Sequence, residues 1–373
     1  MRRGTHVLHA DKLLFTPGPL TTSKTVKHAM MKDYGSRDIG FIKIIQEIRS
    51  ELLHIADLTK EEGYETVLIQ GSGTFGVESV ISSAIGESDK LLVIINGVYG
   101  ERILKMAKVH RIDVTAVTFA ENEWPDVAEV EAELKKGSYT HIAMIHSETT
   151  TGIINPLEPF GHLAKKYGCT FIVDAMSSFG GVPIDFKKCN IDFLISSSNK
   201  CIEGVPGFSF VICHKDDILA CAGQARTLSL DLYAQWYGLE NDGQFRFTPP
   251  THALVAFHEA LMELKEEGGI KARAFRYRKN HDFIRIGMFD MGFRPYLPEA
   301  RQGYIISTYL YPDSPNFNFT TFYEKLNAKG FVIYPGKLTK ADCFRIGNIG
   351  HLFSGDMIEL LMAVADVKKE MHF

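Results

Sequence analysis

Short, continuously apolar, β-branched runs alternate with amphipathic stretches over the first two thirds of the chain. No other feature restricts the fold as much. Residues 66–69, 90–95, 113–118, 141–146, 170–173, 193–196 and 208–213 read as strands. Helical patterns fall between several of them, at 74–86, 100–108, 126–136 and 157–167. This repetition predicts an α/β fold: a large α/β/α domain with a mainly parallel sheet and helices on both faces. The 91–95 run is apolar at every position, as a strand covered on both faces must be. After Pro249-Pro250 the pattern changes. Helices are expected over 251–267, ending at Gly268-Gly269, and over 270–291. A strand at 305–311, a helix at 319–329, a short strand at 331–334 and a last helix at 354–369 follow. Such a mixture predicts a smaller α+β C-terminal domain. The expected division is an N-terminal arm over 1–20, a large domain over 21–255 and a small domain over 256–373.

Composition excludes several classes. The 41 basic and 45 acidic side chains nearly balance, which argues against a nucleic-acid or membrane-surface protein. None of the 6 cysteines forms a CxxC pair and their spacings match no zinc pattern, so reduced thiols and no metal site are expected. Two arginines near the N-terminus precede no long apolar stretch, and the longest apolar run, 360–365, is too short to span a bilayer. A soluble, cytoplasmic protein is the expectation.

Three motifs carry chemistry, each at the end of an apolar strand. Gln70-Gly71-Ser72-Gly73-Thr74 opens a helix, and its free N–H groups and hydroxyls could cup an anion such as a phosphate. A tight turn without a ligand would look the same. Asp174 closes the Phe171-Ile172-Val173 run, where open α/β sheets place their ligands; a loop cap is the equal alternative. Lys200 follows Ser196-Ser197-Ser198-Asn199, and a lone lysine there is more often a surface residue. Together the three change the reading. An anion cup, a carboxylate for a protonated ring nitrogen and an amine are what pyridoxal phosphate requires.

At these residues the chain resembles the class V aminotransferases, of the aspartate-aminotransferase fold type (fold type I). The resemblance continues through Leu14-Phe15-Thr16-Pro17-Gly18-Pro19, His146-Ser147-Glu148-Thr149-Thr150-Thr151-Gly152, Val173-Asp174-Ala175-Met176, Asn199-Lys200-Cys201-Ile202-Glu203-Gly204 and Cys343-Phe344-Arg345-Ile346-Gly347-Asn348. It implies that Lys200 is the Schiff-base lysine, that Asp174 faces the ring nitrogen and that Ser72, Gly73 and Thr74 form the phosphate cup. It also implies that Thr149 lies near the cofactor's phenolic oxygen, that Tyr99 stacks on the ring and that Thr248 reaches the phosphate of a neighbouring subunit. A homodimer with active sites at the interface follows from that last role. Tyr99 could otherwise be a core aromatic. Arg345 is implied to receive the substrate's acidic group, although alone it would read as a structural ion pair; Arg226 and Arg37 are further anion candidates. Within the class, the motifs are most similar to transaminases that move an amino group from 2-aminoethylphosphonate to pyruvate. Alanine–glyoxylate or serine–pyruvate aminotransferase activity is the alternative. A cysteine desulfurase needs a nucleophilic cysteine on a mobile loop, and Cys201 directly after Lys200 is poorly placed for it. A non-catalytic binding module would not need the complete set.

Overall fold

The computed structural model describes residues 11–338 and 341–373; the reading of the first ten residues lies outside them. Seven strands form the main sheet, in the order Tyr64–Gln70, Phe208–His214, Phe193–Ser197, Thr170–Asp174, His141–Ile145, Lys90–Ile95, Asp113–Thr118. The last five are parallel to one another, and Phe208–His214 runs antiparallel to both of its neighbours. The physical reason lies in the connection. Residues 198–207 hold no helix and cannot cross over to return parallel, so the chain turns back directly.

Inner strands are buried at nearly every position, while the edge strand Asp113–Thr118 is only half-buried. Because the parallel strands end on one side, Ile95, Ile145, Asp174 and Ser197 finish along the same edge.

The helices expected in the large domain form at Gly73–Ala84, Val98–Val109, Val127–Leu134 and Glu158–Tyr167. Ile39–Ile55 is an additional helix that the sequence reading passed over. Its signals were present: Asp38 caps it by accepting from the Gly40 and Phe41 N–H groups, and Phe41, Ile45, Ile48 and Leu52 repeat at helical spacing and are buried.

Two principal cores divide the chain differently from the expected boundary near residue 255. That position falls inside the Thr251–Glu267 helix, whose Leu254, Phe257, Leu261 and Leu264 pack into the larger core. The smaller core begins at Ile284 and Met288 on the Gly269–Asp290 helix and gathers Phe293, Phe322, Phe344, Leu360 and Val364. Phe15 from the N-terminal arm is buried in it, and Leu13–Leu14 pairs in parallel with Phe331–Val332. The arm is therefore part of the small core's structure. Among the described residues no helix is long and apolar enough to cross a membrane.

Candidate active site

A cavity of about 410 Å³ opens at the edge where the parallel strands end. Lys200, Asp174, Ser72, Gly73, Thr74 and Tyr99 all line it. Sequence positions from 72 to 200 thus meet in one space, because sheet order places their strand ends side by side.

Lys200 lies in the loop after Phe193–Ser197. Its Nζ donates to the Pro17 carbonyl at 2.8 Å and the Gly18 carbonyl at 3.2 Å. Burial lowers its pKa to about 8, partly offset by the charge of Asp174. The N-terminal arm approaches so closely that a Cβ on Gly18 (φ +106°) would stand 2.6 Å from both the Asn199 carbonyl oxygen and Lys200 Cδ, so only glycine fits. Cys201 and Glu203 beyond the lysine are clamped from the long Gly269–Asp290 helix. Arg273 Nη1 donates to the Cys201 carbonyl at 2.8 Å, and Arg276 Nη2 to Glu203 at 2.7 Å. The N-terminal arm and the Gly269–Asp290 helix therefore hold the lysine loop from two sides.

Asp174 ends the central strand and accepts from the Met176 N–H at 2.9 Å. Burial raises its pKa to about 6, with that hydrogen bond and the charges of Arg102 and Lys200 acting in the opposite direction. A buried carboxylate with no ion-pair partner among the described residues is ready to receive a protonated group.

The cup forms where Gly73–Ala84 starts. Ser72 stands at the N-cap but makes no capping bond, so the hydroxyl and the first helical amides stay available. Gly73 is closely packed: a Cβ there would lie 2.1 Å from Met176 Sδ, so the methionine side chain would have to move. Gly73→Ala is expected to push Met176 into the cavity and cost about 1–3 kcal/mol of cofactor binding or stability. Titration of the apo-protein and thermal melts would check this; unchanged affinity and melting would refute the close-packing argument.

Several residues at the cavity have roles that the sequence motifs do not assign. Arg102 donates from Nη1 to Thr74 Oγ1 at 3.1 Å and lies 4.7 Å from the Tyr99 ring centroid, adding a cation to the cup. Ser147 Oγ and Ser197 Oγ are buried, line the cavity and have no hydrogen-bond partner among the described residues. Glu148 lies within the 146–152 motif. Its carboxyl accepts from the Tyr99 N–H at 3.2 Å and from Thr150 Oγ1 at 2.9 Å, pinning the start of the Val98–Val109 helix. Burial raises its pKa to about 7. A signal for Arg102 existed in hindsight: it sits three residues after Tyr99, hence on the same helix face.

The remaining expected residues separate. Arg345 is buried beside the cavity, donates from Nη1 to the Thr149 carbonyl at 2.8 Å and is near enough for its charge to act on Lys200. Thr149 is buried with it. Thr248 is exposed, outside the cavity wall, with its carbonyl accepting from Gln70 Nε2 at 3.3 Å. Arg37 is exposed before the Ile39–Ile55 helix. Arg226 requires a correction as a substrate residue of its own cavity. Its guanidinium donates to the Ile85 and Gly86 carbonyls, capping the end of the cup helix opposite the cup, about 18 Å along a 12-residue helix.

The arrangement can hold a phosphate-like anion, receive a protonated ring nitrogen and offer an amine to a carbonyl carbon. The chain's similarities agree with that chemistry. Residues 20–302 match the family model described as Aminotransferase class-V. The chain is 51% identical over 355 residues to the 2-aminoethylphosphonate–pyruvate transaminase of Klebsiella pneumoniae, covering 94% of this chain and 96% of that one. It is 52% identical over 345 residues to the enzyme of the same name from Lysinibacillus sphaericus, covering 92% and 94%. Among solved structures, the ureidoglycine–glyoxylate aminotransferase of Bacillus subtilis superposes with a TM-score of 0.89 at 22% identity, covering 99% of this chain and 95% of that one. The alanine–glyoxylate aminotransferase of Nostoc sp. gives 0.88 at 25%, covering 96% of each. With half its residues shared over nearly its whole length and a strand-edge cavity that gathers an amine, a carboxylate and an anion cup, this chain belongs to the class V aminotransferases.

Proposed function

We propose that the protein transfers the amino group of 2-aminoethylphosphonate to pyruvate, yielding phosphonoacetaldehyde and L-alanine, with pyridoxal phosphate held in the strand-edge cavity. The observation that carries this reading is the meeting of Lys200, Asp174 and the 72–74 cup in one cavity. Relatives about half identical are named for this reaction, whereas the glyoxylate aminotransferases are similar at 22–25%, which favours the phosphonate donor over the alternative.

The residues fit the cofactor. Ser72, Gly73, Thr74 and Arg102 would take its phosphate, with Ser147 Oγ and Ser197 Oγ supplying hydroxyls that otherwise lack partners. Asp174 would face its ring nitrogen and Tyr99 its ring. Bound pyridoxal phosphate supplies a reactive aldehyde and a ring that withdraws electrons from the substrate carbon. Lys200 is the amine that would hold that aldehyde and, once displaced by the substrate's amine, the base that takes the proton from the substrate carbon and returns it. Ionised Asp174 keeps the ring nitrogen protonated. Arg345 orients the substrate through its acidic group, carboxylate or phosphonate in turn. Thr248 is assigned to the phosphate of a neighbouring subunit in a homodimer. Exposed Phe75, Leu228 and Phe247 support that reading, since such apolar side chains commonly mark an interface.

The pH dependence follows from two shifted groups. Asp174 must be ionised to pair with a protonated nitrogen, so cofactor affinity should fall about tenfold per pH unit below about 6 and owe nothing further to this group above it. Lys200 attacks only as the neutral amine. The rate of cofactor attachment should therefore rise with pH up to about 8 and then level. Stopped-flow reconstitution of apo-protein across pH 5–9 measures both limbs; a profile flat from 5 to 9 would contradict the assignment.

The function itself is tested by a substrate panel followed as product formation. Alanine released from 2-aminoethylphosphonate plus pyruvate is expected. Turnover with serine or glyoxylate but none with the phosphonate would replace this reading with the alternative.

A further inference from the structure

Arg345 is a buried cation short of negative charge. Its side chain belongs to a residue only 5% exposed, and it donates from Nε to the Pro335 carbonyl at 3.0 Å and from Nη1 to that of Thr149 at 2.8 Å. The guanidinium also lies 5.7 Å from the Tyr334 ring centroid. Among the described residues it forms no ion pair, whereas the buried arginines Arg49 and Arg273 both have carboxylate partners. Nη2 is left for a ligand. One guanidinium balances one carboxylate. A phosphonate dianion brings a second negative charge, and a second unbalanced charge beside a buried wall is costly.

The Tyr99 ring has two more cations over it. Arg102 Cζ is 4.7 Å from its centroid and Lys337 Nζ is 5.2 Å away. Arg102 is committed to the cup through Thr74. Lys337 has no such side-chain hydrogen bond among the described residues. It is exposed, stands two residues after Pro335 on the strand that pairs with Arg345, and has no carboxylate partner among the described residues.

We propose that Lys337 is a specificity-determining residue that supplies the second positive charge for a phosphonate dianion seated on Arg345. The proposal rests on the reading of 2-aminoethylphosphonate as amino donor. The ammonium already stands over Tyr99, and the lysine's flexible four-carbon stem lets it close on the dianion when that is present and swing out into solvent when a carboxylate substrate takes its place. A second cation fixed in the buried wall would instead be left unbalanced whenever a carboxylate took the dianion's place. One pocket can thus serve two anions of different charge.

The test separates the two half-reactions of the holoenzyme. The cofactor's visible absorbance is followed in single-turnover mixing with 2-aminoethylphosphonate and, separately, with L-alanine. Lys337→Gln is expected to raise the apparent dissociation constant for the phosphonate about tenfold and change that for L-alanine less than about twofold. Lys337→Arg should stay within about threefold of wild type for both. Calorimetric titration with the unreactive pair ethylphosphonate and propionate should show the same split without turnover. Equal losses for both anions, or no loss for the phosphonate, would overturn the role of Lys337 while leaving the donor assignment standing. A wild-type enzyme that reacts with L-alanine and not with 2-aminoethylphosphonate would overturn both.

Discussion

Lys200→Ala is expected to lower transamination by at least about 10⁴-fold, because it removes both the attachment amine and the base that moves the proton. The cofactor's visible absorbance in the purified protein should be lost with it. The neighbouring contacts give no substitute. Cys201 is fully buried, and burial pushes its thiol up to about 12, so it supplies no nucleophile near neutral pH. Arg102 and Arg345 bring positive charge and no base. Residual activity above about 1% of wild type would place the amine elsewhere. The same side chain makes a stability prediction of opposite sign. In the cofactor-free protein the lysine pKa is lowered from 10.5 to about 8 by burial. The folded state therefore binds fewer protons than the unfolded state between those values, and stability should rise with pH across that window. Below pH 8 the buried ammonium is a full cost. Cofactor-free Lys200→Met, which keeps the volume and removes the charge, is expected to be more stable than wild type at pH 7 by on the order of 2–3 kcal/mol, with no rise between pH 8 and 10. Chemical denaturation of both apo-proteins at pH 7 and pH 10 measures this. Equal stability at both pH values would mean that the ammonium is solvated in the folded state.

Asp174→Ala is expected to lower turnover by about 10²–10³-fold while leaving the cofactor attached to Lys200. The loss comes from the ring nitrogen, which no longer has an anion to keep it protonated. The buried carboxyl of Glu148 cannot take over, because its oxygens are held by the Tyr99 N–H and the Thr150 hydroxyl. The structure also predicts how the wild-type group behaves. Its neighbours Arg102 and Lys200 favour the ionised form, and burial opposes them. A protonated ring nitrogen should tip that balance toward the carboxylate, so cofactor binding near pH 6 should release a proton from Asp174. Calorimetry in buffers of different ionisation enthalpy counts that proton. Asp174→Ala with turnover within tenfold of wild type would show that another group protonates the ring.

The legible part of the site was local. Asp174 and Lys200 each stand just beyond a run of apolar residues, and a polar side chain at such a strand end is exposed to the sheet's ligand edge whatever else the chain does. The glycine-flanked Ser72 was legible for the same reason, since a strand, a tight turn and a helix start follow one another along the sequence. The less legible part came from elsewhere. Arg226 looked like an anion ligand because the sequence shows its charge and hides its neighbours; packing turned that charge onto the carboxyl end of the cup helix. Ser147 and Ser197 gave no sign of being unpaired, because a hydroxyl's partners depend on what packs around it. The Ile39–Ile55 helix is a different case. Its Asp38 cap and its apolar period lie within one short stretch of sequence, so nothing tertiary was needed to form or to recognise it.

Local order was thus enough to establish the α/β class, the parallel sheet and three of the groups that touch the cavity, since apolar period and turn chemistry act between residues a few positions apart. Only the packed molecule decided that the arm carrying Gly18 lies against Lys200, that Phe15 belongs to the small core and that Arg102 and Lys337 share the Tyr99 ring. Such pairings join residues as far apart in the chain as 15 and 347, where the Gly347 N–H donates to the Phe15 carbonyl at 3.0 Å. Their distances follow from strand order, helix rotation and the docking of two cores, none of which is carried by any single stretch of chain.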